Sequence, residues 1–225
     1  MGLDDHLASW LGQWPPRREV DVVGAHVRAH PGWDGRVRPL LGVTAPGLGT
    51  VLSVDPARAP AVATAVDATG GLPDAARPRI AEALGGGVVG AGVFRRAEAV
   101  PGPDVLPDVG TWVEPDDPRV PGWLTPFNGG VLLALDDDGA YAAGVGVKRH
   151  DDVGHELSVG TDEAHRGRGL ARRLVAQAAR RLLTDGATVT YLHDPANTAS
   201  ARVADACGFP DRGWQVWGLF REEDP

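Results

Sequence analysis

The chain has 225 residues, 43% hydrophobic and 23% charged, and a formal net charge of -8 at pH 7. That length buries a real core in one large domain or two small ones, and the acidic balance works against nucleic acid while favouring cationic partners such as amines. A single cysteine, Cys207, rules out an internal disulfide and fits a reducing cytoplasm; no run nears the ~18 apolar residues of a membrane span, and the opening Met1-Gly2-Leu3-Asp4-Asp5-His6 lacks the regions of a signal peptide.

In chain order, residues 3–14 predict a short helix ended by Pro15-Pro16. Residues 51–54 predict a strand, and Asp55-Pro56 the start of a helix reaching Val66, with Asp at N-cap and Pro at N1. Residues 73–84 predict a second helix and 88–94 a buried strand. A Pro- and Asp-rich stretch over 99–121 then reads as a linker or surface loop. It divides an N-terminal α/β subdomain, residues 1–105, from a second domain, residues 106–225.

Beyond the linker, residues 131–135 and 141–148 flank the turn Asp136-Asp137-Asp138-Gly139 and predict a β-hairpin. Residues 156–161 predict a third strand. A helix over 169–185 carries Leu170, Leu174, Val175, Ala178 and Leu182 on one face and stops at Gly186. Residues 188–192 predict a strand. Asn197 caps a short helix stopped by Gly208, and residues 214–219 predict a final strand.

The segment from Val159 to Ala171 concentrates the chemistry. A strand leads through a polar loop into the Gly-rich turn Arg166-Gly167-Arg168-Gly169-Leu170-Ala171, which opens a helix. Such a turn sets unpaired backbone N–H groups at the positive end of a helix dipole with no side chains in the way, and a diphosphate fits there. A P-loop would need Gly-Lys-Ser/Thr where Leu170-Ala171 stands. A dinucleotide fingerprint would need a third glycine where Arg172 stands. A turn that merely opens a helix is the bland alternative for this motif standing alone.

A second motif accompanies it. Arg166-Gly167-Arg168-Gly169-Leu170-Ala171 resembles the R/Q-x-x-G-x-G/A signature of the GNAT acyltransferases, and Asn197-Thr198-Ala199-Ser200, Val203 and Gly208-Phe209 resemble that superfamily's Asn-capped helix ending in Gly-Phe. The resemblance covers residues 110–220, is strongest over 155–209, and points to the FR47-like branch. The fold it implies is α/β, a mixed, splayed β-sheet flanked by helices. Residues 1–105 then complete the acceptor side or form a degenerate second module of the same kind.

The resemblance implies N-acetyl transfer from acetyl-CoA to a primary amine, on a small molecule or a peptide, by direct attack and without a metal. It implies that Val159, Gly160 and Thr161 contact the pantetheine arm through backbone groups. Gly167, Arg168, Gly169, Leu170 and Ala171, with Arg166, would receive the diphosphate, and Asn197 and Ser200 would reach the arm. The resemblance also implies a proton acceptor at the start of this strand, where Glu156 and His155 stand; strand alternation sends their side chains to opposite faces, so at most one faces the cleft, with Glu156 favoured, and a surface carboxylate beside an exposed edge residue is the bland alternative. The tyrosine that many members carry seven residues after the capping Asn is replaced by Ala204. That gap leaves a CoA-binding regulatory or partner module with little turnover as the second reading.

Trp123, Phe127 and Asn128 precede the hairpin and are expected either to contact the acceptor or to cover the sheet. His150 and His155 lie five apart in a charged hairpin that reads as a solvated turn rather than a metal site. Trp214 and Trp217 are expected in core packing or in a contact between two copies, as in a homodimer. Cys207 is expected to be a small core residue.

Overall fold

Residues 2–221 are described by the structure, a computed structural model. They divide into two units, residues 3–94 with those from 212 onward, and residues 95–211. The elements in order are α1 (Leu3–Leu11), β1 (Val20–Gly24), β2 (Leu40–Ala45), β3 (Gly49–Val54), α2 (Ala59–Asp67), α3 (Ala76–Ala83) and β4 (Val88–Arg96). There follow β5 (Thr111–Val113), β6 (Val131–Leu135), β7 (Tyr141–Arg149), β8 (Gly154–Thr161), α4 (Leu170–Thr184), β9 (Thr188–His193), α5 (Thr198–Ala206) and β10 (Gln215–Phe220).

In the first unit the strand order is β1-β3-β2-β10-β4. β1 and β3 run parallel, and the other neighbours run antiparallel. β10, expected with the second domain, completes this sheet instead. It bonds to β2 on one side and to β4 on the other, and Trp217 donates its indole N–H to Thr44 Oγ1 at 2.8 Å. Trp214 stacks on Phe94, so both tryptophans are packing residues here. Leu40, Leu52, Val62, Val66, Ile80 and Val89 fill the core beneath α2 and α3.

Two local expectations change. The helix expected from Asp55 begins at Ala59, because the Asp55 carboxylate takes the Ala57 N–H at 2.8 Å and holds a turn first. Strands β1, β2 and β5 lie outside the predicted elements. β2 carries Gly42 in mid-strand, where the Leu52 and Trp217 side chains occupy the space of a Cβ, and a glycine there reads as a turn.

In the second unit the order is β9-β8-β7-β6-β5, with β8 and β9 parallel and the rest antiparallel. α4 lies over one face and buries Leu174, Val175, Ala178, Ala179 and Leu182 against Val145, Val147, Leu157 and Val189. The Pro-rich stretch is stitched to the polar side of α4. Gln177 accepts from the Val109 and Gly110 N–H groups and donates to Gly110 O, and Arg180 donates to Pro101 O and Leu106 O. A segment poor in its own backbone bonds is thereby satisfied by one helix. No helix among the described residues is long and apolar enough to cross a membrane.

Candidate active site

β8 pairs with β7 along nearly its whole length, from Arg149↔His155 to Ala143↔Thr161. Its ladder with β9 runs only from Gly154↔Thr188 to Leu157↔Tyr191, although β8 continues to Thr161 and β9 to His193. The two strands therefore part after Leu157 and Tyr191. Asp162 N–H donates to Ala142 O at 2.9 Å, and main-chain groups change sides at each successive residue of a strand. The N–H and C=O groups of Ser158 and Gly160 consequently turn toward β7, and those of Val159 and Thr161 turn into the opening.

The polar loop after β8 is shaped by its own side chains. Asp162 accepts the Ala164 N–H at 3.0 Å, and His165 lies between Asp162 (3.3 Å) and Asp136 (3.5 Å). Gly167 and Gly169 take φ values of +77° and +75°, a region that glycine enters without strain. No side chain caps α4. Arg173 N–H reaches Gly169 O at 3.3 Å, so the Leu170, Ala171 and Arg172 amides ahead of it have no acceptor within the helix. A Cβ built at Gly169 would lie 2.9 Å from Arg172 Nε, which puts that guanidinium back over the helix start. The Arg166 side chain is 67% exposed beside Glu163, and Arg168 reaches Ala164 O at 3.5 Å.

Across the opening, Asn197 caps α5 by accepting the Ser200 N–H at 2.9 Å. The Ser200 hydroxyl meets that of Tyr191 at 2.8 Å, and burial raises the pKa of this phenol. Ala204 is fully buried. Cys207 is buried too, its thiol pushed up to about 12 by burial, so it stays protonated and inert as a nucleophile. The free end of β9 is held by Arg95, which donates to His193 Nε2 (3.0 Å) and Phe209 O (2.9 Å) and pairs with Asp205.

Glu156 and His155 behave as strand alternation requires. Leu157 and Val159 pack toward α4, and His155 shares that side. Glu156 faces the other way and is 3% exposed. Its carboxylate forms an ion pair with Lys148 and a 3.0 Å contact with His150 Nε2. Burial alone would raise its pKa, but the Lys148 charge and the His150 hydrogen bond outweigh that and hold the group down at about 2. A carboxylate so held is a charge partner and a poor proton acceptor near neutrality.

The same face of β7 and β8 carries Gly144, Gly146 and Gly160, on which Leu124, Phe127 and Trp123 respectively lie. A Cβ at Gly160 would come within 2.6 Å of the Trp123 indole, and Tyr141 donates its hydroxyl to Gly160 O at 3.1 Å. Trp123 remains 43% exposed, whereas Phe127 is buried at 5%. Asn128 exchanges two hydrogen bonds with the Arg149 backbone, at 3.0 and 2.7 Å. Phe127 and Asn128 thus hold the loop in place, and Trp123 alone of the three presents a broad surface.

Lys148 and Arg95 are not among the residues to which the sequence points, and His150 and Arg172 enter its reading only as part of a charged hairpin and in place of a third glycine. His150 and Lys148 are readable only as hairpin charge until the pairing Lys148↔Glu156 brings them onto one face. Among the described residues, no group of three or more His, Cys, Asp or Glu side chains is arranged to hold a metal ion.

The comparison with curated proteins gave no match. Among solved structures, a GNAT-family protein from Novosphingobium aromaticivorans is 22% identical with a TM-score of 0.45, covering 59% of this chain and 66% of its own. A GCN5-related N-acetyltransferase-like protein from Streptococcus suis is 15% identical with a TM-score of 0.45, covering 59% and 62%. The chain thus spans less than two thirds of either. A GCN5-related N-acetyltransferase from Kribbella flavida is 20% identical with a TM-score of 0.46, covering 100% of this chain and 98% of its own. The model of the acetyltransferase (GNAT) family matches residues 101–209, which contain the opening, the turn and α5, without singling out the FR47-like branch. Residues 101–209 are thus a GNAT acetyltransferase domain.

Proposed function

We propose that this chain moves an acetyl group from acetyl-CoA to a primary amine, on a small molecule or a peptide. The observation that carries the reading is the parting of β8 from β9 after Leu157 and Tyr191, followed directly by the uncapped start of α4. An extended arm bearing amides suits the first feature and a diphosphate the second. The donor set fits coenzyme A on both counts.

In this reading the amides of residues 167–171, with Arg166, Arg168 and Arg172, take the diphosphate. Val159 and Thr161 bond the arm through backbone groups, and an N–H there polarises the thioester carbonyl and holds the charge that develops on its oxygen. Asn197 and Ser200 line the α5 side. Trp123 offers its exposed indole to the acceptor, where an aromatic face attracts an ammonium group. Bound there, acetyl-CoA supplies an electrophilic acyl carbon. A cytoplasmic setting suits the one buried thiol.

One observation favours a second reading, a CoA-binding module with little turnover. Ala204 is buried at the position of the family's tyrosine, and the Tyr191 hydroxyl is engaged with Ser200. Calorimetry with acetyl-CoA, followed by a panel of amines with free thiol as the readout, separates the two. Thiol released only with particular amines supports transfer. Tight binding with no turnover on any amine supports the module, and absence of binding overturns both.

A further inference from the structure

The seven tryptophans of the chain are treated in different ways. Trp33, Trp112 and Trp217 each carry a guanidinium of the same chain over the ring, from Arg38 at 5.6 Å, Arg181 at 4.5 Å and Arg77 at 5.3 Å. Trp10 stacks on His6, and Trp14 lies against Trp214. Trp123 is the most exposed of the seven, at 43%. Its ring neighbour Phe127 meets it at right angles, 6.0 Å between centroids.

Although exposed, the Trp123 indole is fixed. Its benzo carbons rest on Gly160, where a Cβ would come within 2.6 Å of Cζ2 and 3.1 Å of Cη2. Its N–H is a hydrogen-bond donor to the Tyr141 hydroxyl, which in turn donates to Gly160 O at 3.1 Å. Holding a half-exposed side chain costs rotamer freedom that burial does not return. A face fixed in advance spares a ligand that same cost.

Charge and place narrow the ligand. Asp162 is the charged group whose field reaches the Tyr141 hydroxyl. Asp162 and Asp136 share one imidazole, His165, at 3.3 and 3.5 Å, so these three side chains keep a net negative charge in either form of the ring. A cation is drawn to such a corner and a carboxylate is repelled. Gly160 lies between Val159 and Thr161, whose main-chain groups turn into the opening. A cation within about 6 Å of the ring centroid is therefore a short carbon chain away from an acyl group held there. The amine that attacks must be neutral, so a cation that stays on the indole belongs to a second group of the same molecule.

We propose that Trp123 selects an acceptor that keeps a second positive charge beside the reacting amine, and that Tyr141 is its positioning residue, a proposal that rests on the acetyl-transfer reading above. The retained cation sits on the indole face and takes no part in the bond changes at the acyl carbon.

The test uses the full chain, acetyl-CoA and three four-carbon amines that differ only at the far end: putrescine with an ammonium, butylamine with a methyl group and γ-aminobutyrate with a carboxylate. A tripeptide pair with arginine or norleucine at the second position runs in parallel and separates a peptide source of the second charge from a free diamine. The charged member of one series is expected to exceed its neutral counterpart in kcat/KM by about tenfold, beyond the twofold that two equivalent amines give, with γ-aminobutyrate the poorest substrate. Trp123→Ala is expected to lower that ratio at least about fivefold and to leave acetyl-CoA affinity within twofold. Trp123→Phe serves if the alanine variant fails to bind acetyl-CoA, lowering the ratio about threefold. Tyr141→Phe is expected to lower the ratio about threefold through KM for the charged substrate, with kcat held, a split that general loosening of the fold does not produce. No preference for the charged member in either series, turnover confined to amines without a second positive charge, or a preference that survives substitution of Trp123 overturns the proposal. A ratio unchanged in Tyr141→Phe overturns the part given to Tyr141. A wild type that binds no acetyl-CoA or acetylates no amine instead overturns the transfer reading itself.

Discussion

Arg95 donates its Nε–H to Nε2 of His193 at 3.0 Å, and since a guanidinium only donates, the imidazole proton lies on Nδ1. Nδ1 accordingly donates to Asp194 O at 2.9 Å. The Arg95 side chain is 3% exposed and also serves Asp205 and Phe209 O, so it ties the diverging end of β9 to the end of α5. Arg95→Ala leaves those acceptors short of donors in a mostly buried place. A loss of about 2–3 kcal/mol is expected, below the usual cost of breaking a fully buried pair because Asp205 is 61% exposed. Urea unfolding measures it, and an unchanged midpoint refutes it.

Gly160 and Trp123 form a second coupled pair. Gly160→Ala forces the new methyl into an indole 2.6 Å away, which is expected to cost about 1–3 kcal/mol by overpacking. Combined with Trp123→Ala, the same substitution should cost much less. A double-mutant cycle with no coupling would show that the indole does not rest on that glycine.

At the helix start, Gly169→Glu adds a carboxylate where anions are proposed to bind and strains a residue at φ +75°. Acetyl-CoA affinity is expected to fall at least about 30-fold. Arg172→Ala, losing one charge-assisted contact, should weaken it about tenfold, with a shallower salt dependence than wild type. Calorimetry at two ionic strengths checks both. Full affinity in Gly169→Glu would remove the turn from the binding site.

Glu156 contributes stability with a defined sign. Its folded pKa of about 2 lies below the ordinary 4.5, so the stabilisation is complete above about pH 5 and is lost as pH falls toward about 2. The loss is on the order of 3 kcal/mol. Glu156→Gln should flatten the acid limb of the stability curve, narrowing its gap to wild type as the medium is acidified. Parallel curves for the two proteins would show that the Lys148 and His150 contacts do not stabilise the anion.

Much of the second unit is legible in the sequence because its signals are local. The apolar face of α4, the Asn197 cap and the Asp136–Gly139 turn each reside in a few consecutive residues, and the structure places all three as expected. What sequence reading misses is set by long-range pairing. Arg95 meets His193 and Asp205 from 98 and 110 residues away, and no period in the chain encodes that. Glu156 reads as an ordinary strand carboxylate until register sets Lys148 opposite it. β10 reads as the end of the second domain, and only its ladders to β2 and β4 reveal where it belongs.

The position of β10 also fixes an order of assembly. During synthesis, residues 95–211 hold every strand and helix of their own unit before Gln215 is made. The earlier-translated unit has β2 and β4 exposed along the edges that β10 will occupy, two open hydrogen-bonding rows that invite mispairing while they wait. The half that emerges first from the ribosome is thus the half that closes last.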